Sequence, residues 1–297
     1  MFIEDHRKEW GVEPICRVLQ FAPSTYYAAR GRKPSLRAVR DETLKPEITR
    51  VHEGNYSVYG AFKVWEYLNQ DGLEVARCTV ERLMRDLGLR GISRGKTPRT
   101  TVPGQVDARP GDLVDREFHA QAPNRLWVAD LTYVKTHTGW VYVAFVLDVF
   151  SRRVVGWQAS RSLRTDLALD ALEMAIYARR GENLGGLIHH SDRGVQYLAI
   201  RYTNRLEGAG LVGSVGSKGD SYDNALAESF NGLYKTELIR NRGPWRGIED
   251  VEFATLEYVD WFNHRRLHGS IGMSAPVEFE RRYWANQAEL AELAITQ

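Results

Sequence analysis

Two runs, LWVADLTYVKT (Leu126 to Thr136) and WVYVAFVLDVF (Trp140 to Phe150), constrain this chain more than any other feature. Both are rich in Val, Trp, Tyr and Phe, and Thr138-Gly139 stands between them, the signature of a β-hairpin. RRVVGWQAS (Arg152 to Ser160) continues the meander as a third strand. Helix and strand then alternate. Residues 165–180 carry Leu169, Leu172, Ala175 and Ile176 on one helical side, and GLIHHSD (Gly186 to Asp192) is a short apolar strand. A helix near Tyr197 to Gly208, a strand LVGSV, a helix from about Tyr222 to Ile239 and a last long helix over about Glu249 to Arg265 follow. Three strands and then this alternation predict a mixed α/β domain. Trp127, Trp140 and Trp157, all in strands, are expected in its core.

Upstream, the periodicity becomes that of short helices. Val12, Ile15, Cys16 and Leu19 mark one, and Ser24 is the expected N-cap of a second. Leu44, Ile48 and Val51 mark a third. Ala61, Val64, Trp65 and Leu68 mark a fourth, stopped by Asp71-Gly72, and Val80, Leu83, Met84 and Leu87 a fifth, stopped by Gly88. Short helices joined by Gly turns are the helix-turn-helix pattern, with Thr79, Arg82 and Arg85 as candidate DNA contacts. A solvated polar face explains the same pattern. Up to Pro110 the chain carries 19 Lys/Arg against 14 Asp/Glu, and beyond it 21 against 24. The formal net charge of +2 therefore hides a basic part and a mildly acidic one.

Residues 94–111 hold three prolines and three glycines and read as a linker. The expected organisation is a short helical segment with a basic stretch (1–40), a helix-turn-helix region (41–93), a linker (94–120), an α/β core (121–285) and a tail (286–297). No run approaches the roughly 18 apolar residues that span a bilayer. The first ten residues lack a signal-peptide core, and the two cysteines lack CxxC spacing. A cytoplasmic protein with no membrane partner is the expectation.

Three acids stand where an ordinary fold avoids them. Asp130 lies within a Trp- and Val-rich strand, where an unpaired charge is costly. Asp192 ends a short apolar strand, and Glu228 sits among Ala225, Leu226, Ala227 and Phe230. Carboxylate clusters of this kind suit two divalent metals acting on phosphate, and Mg²⁺ prefers oxygen ligands. The separation of Asp192 and Glu228 proves nothing by itself: with 16 Asp and 22 Glu in 297 residues, chance supplies about one such pair. The flanks decide. In SKGDSYDNALAESFNGLYKTEL (Ser217 to Leu238), Asn224, Glu228, Asn231 and Lys235 share one helical face. That face suits metal plus nucleic acid, and equally a solvated surface. His189 and His190 are expected to be structural, and Trp245 to pack.

At these residues the chain resembles the second-frame transposase protein (OrfB) of the IS3 family of insertion sequences, with its integrase-type DDE core. WVADLTYV, IHHSDRGVQY, SVGSKGDSYDNALAESFNGLYKTEL and the C-terminal WFNHRRLHGSIGMSAPVEFE carry the resemblance, with YGAFKVWEYLNQDGLEVARCTVERLMRDLGLRG upstream. Many members read Arg-Pro-His where this chain has Arg266-Leu267-His268. The resemblance implies an RNase H-like mixed five-stranded sheet flanked by helices, with an all-α helix-turn-helix region before it. It implies Asp130, Asp192 and Glu228 as catalytic residues and ligands of two Mg²⁺ ions, for which Mn²⁺ substitutes. Lys235 is then the family's basic DNA contact, with Asn224 and Asn231 beside it. The implied activity is metal-dependent 3′-end cleavage and strand transfer on double-stranded DNA. A homo-oligomer and fusion to an upstream first-frame protein are implied as well. Two alternatives are a DNA-binding regulator without strand transfer and an RNase H-type nuclease, the latter at odds with residues 41–90.

Overall fold

The hairpin forms. In the computed structural model, which describes residues 2–93, 119–192, 194, 196–215 and 225–295, β1 (Leu126–Thr136) and β2 (Gly139–Asp148) pair antiparallel from Trp127 opposite Asp148 to Thr136 opposite Gly139. Gly139 takes φ +118°, open to glycine alone at little cost. Helices α1 (Phe2–Trp10), α2 (Val12–Val18), α3 (Pro23–Gly31), α4 (Leu36–Gly54), α5 (Ala61–Gln70) and α6 (Arg77–Asp86) precede it.

The sheet completes as an RNase H-like core. β3 (Val154–Ser160) pairs antiparallel with β2, β4 (Ile188–Ser191) parallel with β1, and β5 (Val212–Val215) parallel with β4, in the order β3-β2-β1-β4-β5. β4 pairs with β1 only over Leu126 to Ala129, so β1 runs on beyond it. Parallel strands need crossovers, supplied by α7 (Thr165–Ala178) and α8 (Ile200–Gly208). Both pack on one face, where Ala129, Ala144 and Val146 meet Leu167, Ala171, Tyr202 and Leu206. Gly156 permits the close approach of α7, since a Cβ there would lie 2.1 Å from the Ala171 carbonyl oxygen.

On the other face stand α9 (Ala225–Tyr234), a π turn (Lys235–Ile239), the single turn α10 (Arg240–Arg242) and α11 (Ile248–His264). Phe145 of β2 meets Phe230 and Tyr234 edge-on, with ring centroids 4.8 and 5.0 Å apart. The Asn263 amide exchanges two 2.9 Å hydrogen bonds with the Val154 backbone, tying α11 to β3. After a 3₁₀ turn (Gly269–Ile271) comes α12 (Pro276–Ile295). Its Glu280 is buried in an ion pair with Arg179 and accepts from Ser151 and Arg153.

Two compact units divide the chain, Met1–Thr49 and Arg50–Gln297. The first has its own small core of Ile3, Ile15, Cys16 and Tyr26, whose hydroxyl donates to Glu4 at 2.7 Å. The second contains α5, α6 and the sheet together. Trp261 donates to Asn55 at 2.9 Å, the Leu267 amide donates to the Tyr59 hydroxyl at 2.7 Å, and Gln70 donates to the Met273 carbonyl at 3.0 Å.

Several expectations are corrected. Helix α3 is capped by Ala22 with Pro23 at its first position, not by Ser24; the proline ring presets the helical φ. The helix expected to run on to Ile239 changes to a π turn at Lys235. α11 is not the last long helix, because α12 follows; its outer half is solvated and so carries no core periodicity. Trp127 and Trp157 are buried, but Trp140 stands exposed near the hairpin turn. Of the expected linker, residues 94–118 lie outside the described residues. No described helix is long and apolar enough to cross a membrane.

Candidate active site

Asp130 follows the last β1 residue paired with β4, and Asp192 follows the last residue of β4. Ala129 is opposite Ser191 in the parallel register, so the two aspartates leave the paired region together. Glu228 lies in the first turn of α9, which packs on Phe145, the residue opposite Asp130 in β2. Three acids far apart in sequence thus reach one end of the β1–β4 pair.

Electrostatics ties them together. The Asp130 carboxyl is pushed up to about 7, first by burial and then by the charge of Asp192, with a smaller push from Glu228. The Leu131 amide donates to its Oδ1 at 2.8 Å and the Asn231 amide to its Oδ2 at 2.8 Å, both pulling the other way. Asp192 is also raised, by burial, against the Gly194 amide that donates to its Oδ1 at 2.9 Å.

The remaining candidates divide. Asn231 is buried and turned onto Asp130; its Oδ1 has no partner among the described residues. Lys235 opens the π turn with Nζ 4.5 Å from the Tyr133 ring centroid. Asn224 lies outside the described residues. Thr79 sits in the first turn of α6, Arg82 pairs with Asp86 at 3.5 Å, and Arg85 lines an open groove of about 450 Å³ with Met84, Gly88 and Arg90. His189 and His190 are structural: both are buried, bonded to the Tyr202 hydroxyl at 3.0 Å and the Ser214 hydroxyl at 2.9 Å. Burial holds His189 down at about 4, and so neutral. Trp245 is packed, its indole donating to the Ile239 carbonyl at 3.0 Å.

Two features escape sequence reasoning. Tyr197 is buried near Asp130 and Asp192, and its hydroxyl has no partner among the described residues. Glu237, inside the π turn, takes a buried two-pronged bond from Arg266 at 2.9 and 2.5 Å and accepts from the Tyr258 hydroxyl at 2.9 Å. An acid beside Leu238 and Ile239 was the available signal, but nothing in the spacing named its partner.

Among the described residues no three His, Cys, Asp or Glu side chains form a ready metal cage. The donor set nevertheless fits a hard divalent cation. It offers carboxylate oxygens gathered where burial, and then the neighbouring acids, raise Asp130, and the orphaned Asn231 Oδ1 lies beside them.

Sheet order, carboxylate placement and the preceding helices define an integrase-core polynucleotidyl transferase. Models of the integrase core domain match residues 120–221 and 210–276, and an HTH-like domain matches 39–97. A Mycobacterium tuberculosis protein named for insertion sequence element IS986/IS6110 is 57% identical over 272 residues, covering 91% of this chain and 98% of that protein. The transposase for insertion sequence element IS629 of Shigella sonnei is 51% identical, over 94% of this chain and 95% of that one. The HTLV-2 integrase catalytic core domain, solved in complex with magnesium, aligns with a TM-score of 0.44 at 17% identity, over 55% of this chain and 99% of that domain. The chain belongs to the IS3 family of insertion-sequence transposases.

Proposed function

We propose that this transposase cleaves the 3′ ends of its element and joins them to a second phosphodiester, with Asp130, Asp192 and Glu228 as the catalytic carboxylates. The observation that carries the reading is the convergence of three acids from β1, the end of β4 and α9, where burial first, and then the charges of Asp192 and Glu228, push the Asp130 carboxyl up to about 7. Held by these carboxylates, a pair of Mg²⁺ ions (or Mn²⁺) would supply activation of the attacking oxygen and neutralisation of the leaving one. Asn231 and the Leu131 amide fix the orientation of the Asp130 carboxylate, and the Gly194 amide fixes that of Asp192. Lys235 offers a positive charge to the DNA strand beside the reacting phosphate.

In the first step water attacks phosphorus, the P–O3′ bond breaks, and the element keeps a free 3′-OH. In the second, that 3′-OH attacks another phosphodiester and a different 3′-OH leaves. The helices at 41–93 read the element ends through Thr79, Arg82 and Arg85, with Asn224 a further contact. Joining two ends calls for at least two protomers acting in the cytoplasm, with a first-frame protein as a fused partner.

The test is Asp130→Asn on duplexes carrying the element end. With Mg²⁺ or Mn²⁺ supplied, both cleavage and joining should fall to background while DNA binding persists. Joining near the wild-type level in that variant overturns the assignment. Binding without any metal-dependent cleavage by the wild-type protein would instead favour a DNA-binding regulator.

A further inference from the structure

β1 continues past β4, so from Asp130 onward its β4-side edge has no partner strand among the described residues. On this stretch stands Tyr133, 44% exposed, and across the hairpin stands Trp140, 49% exposed. The two rings meet at 83° with centroids 5.3 Å apart, and Lys235 of the π turn lies over the Tyr133 ring. Lys135, opposite Trp140 in the register, is exposed beside them.

Large aromatic rings on a regular strand are normally core, as Trp127 and Trp157 are. These two are half in solvent but rigidly placed. A perpendicular contact covers at most one face of one ring, and Lys235 covers one face of Tyr133. Trp140, which is 49% exposed, keeps ring surface in solvent beside this contact. An apolar protein partner would not call for two ammonium groups at the rim. A polyanion with flat apolar bases would.

Position relative to the carboxylates agrees by two routes. Tyr133 is three strand residues beyond Asp130, about 10 Å at 3.3–3.4 Å per residue. Lys235 is seven residues beyond Glu228, about 10 Å at 1.5 Å per helical residue. Stacked nucleotides advance about 3.4 Å each, so this span is about three nucleotides. Odd spacing directs Tyr133 to the opposite sheet face from Asp130. Lys235, which follows α9 on the Asp130 side, reaches the Tyr133 ring, so the two sides meet here.

We infer that Tyr133 and Trp140 form a stacking platform for an unpaired DNA base within about three nucleotides of the scissile phosphate, with Lys235 and Lys135 holding the adjacent phosphates. Base–aromatic stacking is sequence-tolerant and strong enough to offset the opening of a terminal base pair. The inference rests on the proposed strand-cleavage activity.

The experiment compares cleavage of a fully paired element end with one whose terminal three base pairs are mismatched, for wild type, Tyr133→Ala, Trp140→Ala and Tyr133→Phe. Wild type should cleave both. Tyr133→Ala and Trp140→Ala should lose about tenfold or more on the paired end and recover on the mismatched end. Tyr133→Phe, which keeps the ring, should match wild type on both. A 2-aminopurine placed in the same three positions should be quenched on binding by wild type and not by Trp140→Ala. Alanine variants that cleave the paired end normally, or that stay impaired on the mismatched end, overturn the platform. A wild-type protein that cleaves neither end refutes the underlying activity instead.

Discussion

Asp130 carries a conflict that the free protein cannot resolve. Its proton affinity, raised from an ordinary 3.8 to about 7, means that the fold favours the neutral acid. The associated stability is fully present below about pH 3.8 and is lost as pH rises through 7, because the ionised form is buried and also meets Asp192 and Glu228. Removing that charge should help the metal-free fold. Asp130→Asn is expected to melt several degrees above wild type at about pH 8, at roughly 2–4 °C per kcal/mol for a chain of this size. The two should converge below about pH 4, where both side chains are neutral. Added Mg²⁺ should raise the melting temperature of wild type and leave the variant nearly unmoved, since only a cation bound to the native state stabilises it. Differential scanning calorimetry reads all three, and equal melting of wild type and variant at about pH 8 would contradict the coupling.

At the scale of elements, legibility followed the source of each element's stability. β1, β2 and β3 were readable because their side chains face a core on both sides and appear as Val-rich runs. α5 and α6 were readable from buried Val64, Leu68, Val80 and Leu83 at helical spacing. The outer half of α12 touches no core and was missed, and Trp140 was misplaced because composition does not say where a hairpin outgrows its covering helix. The candidate site was legible as a set of acids, while the contact of Asn231 with Asp130 depends on tertiary geometry that helical spacing cannot supply.

The π turn after α9 belongs to this second kind. Such turns recur at functional sites, and this one presents Glu237 to Arg266 and Tyr258 while Lys235 reaches Tyr133. Glu237→Gln or Arg266→Met alone leaves a buried charge unmatched and should cost about 3–5 kcal/mol in urea unfolding. The double replacement by Met should cost markedly less, because neither charge is then stranded. A double variant as unstable as the sum of the single ones would show that the pair does not act as a unit.

At the scale of the whole molecule, α5 and α6 share one compact unit with the sheet, joined to it by the bonds at Asn55, Tyr59 and Gln70. On the proposed function, a DNA-reading helix pair fixed in this way to the cutting centre would act as a ruler. The bond that is cut would then lie at a set count of base pairs from the sequence that is read, whatever bases occupy the cut itself. Two base pairs inserted between them displace the end by about 7 Å and turn it by about one fifth of a helical repeat, far beyond the roughly 1 Å that costs a catalytic site much of its rate. Mapping the cut on such a substrate should find it two nucleotides inside the element, at the original count, and weaker at the displaced terminus. A cut that followed the terminal bases at full rate would mean that the reading and cutting parts move independently. If the ruler holds, the precision with which an element's boundary is defined resides in contacts made away from the carboxylates, among them the bonds at Asn55, Tyr56, Tyr59 and Gln70.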